Sequence, residues 1–150
     1  MKQAIVALLL VLLFATSAQA GDPFLLHDLP LGSTLEKAKA LISDLQPSES
    51  PEGTRVYKAA GPVGQTHDIR LIFVDDRLVS ISFRTSPKSF EQARKALADI
   101  AGPFTPAEDG RLAYEARQDS RRLQLLRQDD ESAWVVHIDL DRIGMEHQTR

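Results

Sequence analysis

The sequence predicts an α+β fold in which two αβββ repeats form one antiparallel sheet with both helices packed on one face. Two segments carry apolar residues at helical spacing, and each is followed by three stretches in which apolar and polar residues alternate. The two apolar helix faces are offset by 55 residues, from Leu35 to Phe90. With 43% hydrophobic and 26% charged residues in 150, the composition is typical of a globular chain.

The first predicted helix begins at Ser33, in a segment with the form of a capping box. The Ser33 side chain can accept a bond from a free backbone N–H, and Glu36 three residues later can reach back. Pro47 ends the helix because proline cannot continue the hydrogen-bond pattern. The face predicted to be buried comprises Leu35, Ala38, Ile42 and Leu45.

The second predicted helix begins at Ser86-Pro87, a plausible N-cap followed by proline at the first helical position. Gly102-Pro103 ends it, since glycine readily adopts the left-handed conformation that closes a helix. Its apolar residues repeat the spacing of the first helix, and they are Phe90, Ala93, Leu97 and Ile100.

Alternation of apolar and polar residues predicts three strands after each helix, joined by acidic turns at Asp75-Asp76 and at 129–131. On the last strand, Trp134, Val136 and Ile138 are assigned to the core side. The polar segments 46–53 and 105–110 are predicted to be loops. The six predicted strands are 54–60, 67–74, 77–85, 111–117, 121–128 and 132–140.

The first twenty residues predict a secretory signal peptide that is cleaved after Ala20. Lys2 supplies the positive charge, residues 4–14 the apolar core, and Ala18-x-Ala20 the small-residue cleavage site. The apolar core is shorter than the roughly 20 residues needed to span a membrane. We therefore expect a periplasmic or secreted protein, with a single α+β domain at 21–150, repeats at about 31–85 and 86–141, and a frayed tail.

Composition and motif searches exclude several function classes. The chain has no cysteine, so it can form neither disulfides nor thiolate metal sites, and it cannot carry a lipid on cysteine. A net charge of −3 does not match the basic surface that nucleic acid requires. Serine-nucleophile, phosphate-loop and spaced metal-ligand motifs are missing, so no catalytic residue, metal or cofactor is predicted.

One segment resembles small bacterial envelope domains. The stretch Leu31-Gly32-Ser33-Thr34-Leu35-Glu36-Lys37-Ala38, with the later hairpin Phe73-Val74-Asp75-Asp76-Arg77-Leu78, is similar to the outer-membrane assembly lipoproteins of the SmpA/OmlA type and to the β-lactamase-inhibitor proteins. The tandem arrangement looks most like the inhibitor proteins. The resemblance implies non-enzymatic binding of another protein through an open sheet face.

Arginine on outward strand positions identifies the candidate binding residues. Twelve of the 18 basic residues are arginine, whose planar and weakly hydrated guanidinium suits protein interfaces. A sheet face presenting arginine with serine, glutamine and histidine can dock on a partner. The predicted partner-binding residues are Arg70, Ser80, Ser82, Arg84, Glu115, Arg122, Gln124 and His137.

Three functions remain open on these grounds. The first is a non-catalytic protein that docks on an envelope protein through the sheet face. The second is a small-molecule or lipid binder with a cavity between helices and sheet, lined by Leu41, Phe90 and Leu97. The third is a hydrolase that uses His137 and Asp139, which alternate on one strand and so share a face.

Overall fold

The computed structural model describes residue 26, residues 28–106 and residues 113–143. The predicted signal peptide and most of the predicted frayed tail lie outside these ranges. In chain order the elements are α1 (Leu35–Leu41), β1 (Gln46–Ser48), β2 (Thr54–Ala59), β3 (Thr66–Val74), β4 (Arg77–Thr85), α2 (Phe90–Ala101), β5 (Thr105–Pro106), β6 (Ala113–Gln118), β7 (Arg121–Arg127) and β8 (Ala133–Asp139). Residues 140–143 add a short helical segment.

The strands form one antiparallel sheet of eight strands in the order β1-β2-β3-β4-β8-β7-β6-β5. Each half of the chain is a meander, and the halves meet where β4 pairs with β8. The predicted fold class, two αβββ repeats with both helices packed on one face, is therefore wrong. Each half contributes four strands rather than three, and the molecule is mostly this sheet with three small helices in its described part.

The two additional strands are the short edge strands β1 and β5, which were predicted to be loops. Each contains one proline, and Pro47 and Pro106 lie opposite Tyr57 and Tyr114 of the neighbouring strands. Proline lacks a backbone N–H, so within sheets it is confined mainly to edge strands. At an edge it also hinders a further strand from pairing with the sheet. The same two prolines therefore hide the edge strands from alternation analysis and protect both edges of the sheet.

Helix α1 is shorter than predicted and has a different cap. The N-cap is Thr34, whose Oγ1 accepts a bond from the Lys37 backbone N–H at 3.3 Å. The Ser33 hydroxyl instead donates to the Pro30 carbonyl at 2.7 Å, so the predicted capping box does not form. The helix ends at Leu41 because Ile42 already has extended backbone angles.

Helix α2 begins at Phe90, three residues later than the predicted start at Pro87, and its N-cap is Ser89 rather than Ser86. The Ser89 hydroxyl makes no capping bond and donates instead to Thr85 Oγ1 at 2.6 Å. Its predicted end is confirmed, since Gly102 is the C-cap with φ +83°, a value that residues with a side chain rarely adopt.

The core combines alternate residues of the strands with apolar residues of both helices and of the segment before α1. Phe73 and Phe83 are among its largest fully buried side chains. Edge-on contact between Tyr57 and Phe73 extends it toward β2, with ring centres 5.8 Å apart. The helices contribute Leu35 and Ala38 of α1, with Ile42 directly after it, and Phe90, Ala93 and Leu97 of α2.

Strand β8 faces the opposite way from the prediction. Ala133 and Val135 are buried, whereas Trp134, Val136 and Ile138 are half-buried on the other side of the sheet. The register decides this, because Val135 lies opposite the buried Phe83 of β4 and partners in a ladder share a face. Within the described residues, no helix has the length and apolar character required to cross a membrane.

Candidate functional site

One side of the sheet, here called the open face, carries most of the predicted binding residues. Its central row crosses six strands, since each residue of the row lies opposite the next in the ladder. Two flanking rows run parallel to it, one through Ser80, Ile138 and Arg122, and the other through Arg84 and Trp134. The central row consists of Lys58, Arg70, Ser82, Val136, Gln124 and Glu115.

Seven of the eight predicted binding residues occupy the open face, and they are Arg70, Ser80, Ser82, Arg84, Glu115, Arg122 and Gln124. They come from four strands and from both halves of the chain. Ser80 is only 6% exposed, so its side chain offers a partner little surface. The other six are half-buried or exposed.

At one end of the central row, Glu115 anchors a polar cluster. Gln124 Nε2 donates to Glu115 Oε2 at 2.9 Å, and Arg117 Nε donates to Glu115 Oε1. Arg122 Nε lies 3.6 Å from the same Oε1, too far for a hydrogen bond, and finds no other acceptor among the described residues. The Gln124 bond, the Arg117 bond and the two guanidinium charges hold the pKa of Glu115 below its ordinary value, against the opposing effect of burial. Glu115 is therefore ionised at neutral pH.

Arg84 is held in place on the flanking row by the turn between β7 and β8. Its Nη2 donates to Asp130 Oδ2 at 2.6 Å and its Nε to Ser132 Oγ at 3.1 Å. Asp130 Oδ1 in turn accepts bonds from the Ser132 hydroxyl and backbone N–H, which lower the pKa of Asp130, as does the charge of Arg84. The side chain of Arg84 is 41% exposed, so its fixed guanidinium still reaches solvent.

Half-buried apolar side chains fill the spaces between these polar groups. Trp134, Val136 and Ile138 of β8 are joined by Ile72 of β3 and Leu126 of β7. A partly exposed tryptophan among arginines is the composition that protein interfaces favour at their energetic centre. The open face can therefore contribute both apolar contact and charge-assisted hydrogen bonds.

His137 is the predicted binding residue that does not belong to the open face. It lies on the core side of β8, opposite the fully buried Ile81 on one neighbouring strand and the buried Leu123 on the other. Burial and, to a smaller extent, the charge of Arg121 lower the pKa of His137 from 6.5 to about 4, against the opposing effect of the Asp139 carboxylate. The imidazole is therefore neutral at pH 7.

A cavity of about 150 Å³ lies beside His137, between the sheet and the end of α2. Leu31, Ile100 and Leu123 supply part of its apolar wall, and Arg121 and Gln118 add polar groups. The residues predicted to line a cavity do not: Leu41 is 37% exposed, while Phe90 and Leu97 are packed in the core. In the described part of the chain, no three His, Asp or Glu residues are grouped so that they could hold a metal.

Sequence reasoning missed four contributors to the open face, namely Lys58, Trp134, Val136 and Ile138. Their strands were predicted, but the assignment of β8 to the wrong face removed three of them. The signal that could have corrected it is the size of the alternating residues. On β8, Ala133 is small enough to pack beneath the core side chains. On the adjacent β7, Arg122 and Gln124 mark the side that faces outward.

No protein-family model, curated protein or solved structure matches this chain. The resemblance of segment 31–38 to two envelope families consequently stays a prediction.

Proposed function

We propose that this chain is an exported, non-catalytic binding protein that docks on another protein of the bacterial envelope through its open face. The observation that carries the proposal is the shared location of Arg70, Ser82, Arg84, Glu115, Arg122 and Gln124 beside half-buried Trp134 and Val136. These residues lie far apart in the sequence, and the antiparallel ladder brings them to one surface.

The state of the ionisable groups favours recognition over proton transfer. Glu115 already accepts bonds from Gln124 and Arg117, and Arg84 is paired with Asp130. Such pairs hold guanidinium and carboxylate groups at fixed positions, which reduces the entropy lost when a partner binds. The lowered pKa of Glu115 also makes this carboxyl a poor proton donor at neutral pH.

The proposed location depends on the N-terminal segment, whose charged start, short apolar core and Ala18-x-Ala20 site have the pattern of a secretory signal peptide. The similarity of segment 31–38 to inhibitor-type envelope proteins makes an envelope enzyme the favoured class of partner.

Retention of a partner from periplasmic extract tests the docking proposal. Residues 21–150 are immobilised as wild type, as Val136→Glu at the centre of the open face, and as Leu41→Glu at an exposed apolar position of α1. We expect the same protein to be retained by wild type and Leu41→Glu but not by Val136→Glu. The carboxylate introduced at the centre of the face would lose its water on docking and gain no opposite charge in return, which costs binding free energy. Equal retention by all three proteins, or by none, contradicts docking through this face.

A second candidate function is binding of a small apolar molecule in the cavity beside His137. The observation that favours it is the cavity itself, since a volume near 150 Å³ with an apolar wall of Leu31, Ile100 and Leu123 can hold a molecule of benzene size. Thermal unfolding with and without saturating benzene tests it. A rise in Tm that Ala116→Leu abolishes by filling the cavity supports the candidate, and an unchanged Tm rejects it.

A further inference from the structure

A groove at one end of the open face combines two cationic side chains with a tryptophan. It has a volume of about 450 Å³ and is lined by Lys58, Ala59, Ala60, Asp68, Ile69, Arg70 and Trp134. The groove exists because β3 is irregular between His67 and Arg70, where Asp68 has φ +50° and its backbone N–H bonds to the Ala60 carbonyl. A bulge of this kind bends the strand and opens the surface beside it.

The two cations of the groove differ from the other cations of the open face. Lys58 and Arg70 lie opposite each other on β2 and β3, and both are exposed. Neither forms an ion pair with any residue in the described ranges, whereas Arg84, Arg117 and Arg122 each lie beside a carboxylate. Two adjacent unpaired cations repel each other, and a carboxylate placed between them would relieve this repulsion.

Trp134 forms the apolar part of the same groove. It lies on β8, two strands from Arg70, and the small Ser82 on the intervening β4 leaves room between them. The groove therefore joins a cationic pair to an aromatic wall within one surface. A partner segment with one or two carboxylates beside an apolar side chain complements both parts.

Charge distribution distinguishes this occupant from the alternatives. The three rows of the open face carry four cationic side chains, Lys58, Arg70, Arg84 and Arg122, and Arg117 lies opposite Arg122 on the neighbouring strand, although the whole chain has net charge −3. The carboxylates beside them are Glu115 in the central row, Asp130 paired with Arg84, and Asp68 at the groove. A second copy of the same face would bring cations against cations. Asp68 at the groove's edge repels a doubly charged phosphate more strongly than a singly charged carboxylate, and it can accept bonds from the N–H groups of a peptide.

We infer that the groove between Lys58, Arg70 and Trp134 receives an acidic segment of the protein partner, in which carboxylates flank an apolar residue. This inference rests on the proposed docking function and specifies the chemistry of the partner. The carboxylates bind the ammonium of Lys58 and the guanidinium of Arg70, and the apolar residue packs against the indole of Trp134.

Fluorescence anisotropy with a defined probe tests the inference. The probe is a fluorescein-labelled eight-residue peptide with two aspartates beside one leucine in a glycine-serine background, and the comparison peptide has lysines in place of the aspartates. We expect the acidic peptide to bind wild-type 21–150 and the basic peptide not to bind. The double variant Lys58→Glu/Arg70→Glu should weaken binding about tenfold or more.

The matched control is Lys37→Glu/Lys95→Glu, which changes the net charge equally at exposed helix positions. It should leave affinity within about twofold of wild type if the groove, not the overall charge, attracts the peptide. Equal loss in both double variants, or binding of the basic peptide with similar affinity, overturns the inference. Binding of inorganic phosphate or phosphatidylglycerol vesicles in place of the acidic peptide also overturns it.

The retention assay on periplasmic extract separates this inference from the proposed function. If Lys58→Glu/Arg70→Glu still retains the periplasmic partner that Val136→Glu loses, the docking face stands and the groove chemistry is wrong. If no variant or wild type retains a partner, docking itself fails. If the charge reversal prevents folding, the neutral variant Lys58→Gln/Arg70→Gln replaces it in the peptide assay. Its fold is checked by circular dichroism, and we expect it to weaken peptide binding as well.

Discussion

Replacing His137 with leucine should make the protein less sensitive to acid. The folded chain holds the pKa of His137 at about 4, against an ordinary value of 6.5. Between these two pH values the unfolded chain binds a proton that the folded chain does not, so the free energy of unfolding falls as pH falls through this window. At 1.36 kcal/mol for each pKa unit, the loss from pH 7 to pH 4 is about 3 kcal/mol.

Urea unfolding of residues 21–150, followed by Trp134 fluorescence between pH 7 and pH 4, measures this effect. We expect the free energy of unfolding to drop less steeply in His137→Leu, with the difference close to the calculated value. Gln118→Leu is the control, since it also places leucine at the cavity but removes no titrating group. Identical pH slopes in wild type and His137→Leu would refute the assignment of a buried, neutral imidazole.

Other predictions follow from the core and the N-terminal segment. Thr85→Val should lower the free energy of unfolding by about 2 kcal/mol, because Thr85 Oγ1 accepts the buried Ala133 N–H at 2.8 Å and valine leaves that donor unsatisfied. Half-buried Thr54→Val in β2 is its control, since it removes a solvent-exposed bond to the Pro51 carbonyl and leaves no buried donor unpaired. Equal unfolding midpoints of the two variants would contradict the role of the Thr85 hydroxyl. Leu97→Ala should cost about 3 kcal/mol in the same urea assay by leaving a cavity in the core, and a loss below 1 kcal/mol would show that α2 does not pack as described. N-terminal sequencing of the protein recovered from the periplasm should begin at Gly21; recovery of the uncleaved chain in the cytoplasm would contradict export.

Much of the sheet could be predicted because its residues alternate strongly. The strand 77–85 was predicted with its observed bounds, and the other long strands in the described ranges agree within one or two residues. Short elements could not be found in this way. Strand β1 has three residues and β5 has two, each with a proline, so neither is long enough to show a period of two. The error in fold class comes from these edges and from the small size of α1.

Helix starts failed for a different reason. Ser33 and Thr34, like Ser86 and Ser89, are equally good capping residues by type, and the bonds that each hydroxyl makes outside the helix choose between them. Ser33 is drawn to the Pro30 carbonyl, which leaves the cap to Thr34. Local propensity therefore predicts that a helix starts within a few residues but does not identify the capping side chain.

The candidate site shows what a one-dimensional pattern omits. Alternation correctly grouped Ser82 with Arg84 and Arg122 with Gln124, because β4 and β7 each have one mostly polar side, and it placed Arg70 on the side opposite the buried Ile69 and Leu71 of β3. On β8 the alternation gave the wrong side, because Trp134, Val136 and Ile138 form the more apolar side, whereas the side that faces the core carries His137 and Asp139 with Val135. Pairing of Val135 with Phe83 of β4 decides which side faces the core, and that pairing is a long-range property.

Site-specific photo-cross-linking in living cells tests the central claim most directly, namely that the open face is the docking surface. Benzoylphenylalanine is introduced at Ser82 or Gln124 on the open face, and at Glu36 or Lys95 on exposed sides of the two helices. The account predicts one adduct of the same mass from both open-face positions and none from the helix positions. Adducts from the helix positions with none from the sheet would contradict it.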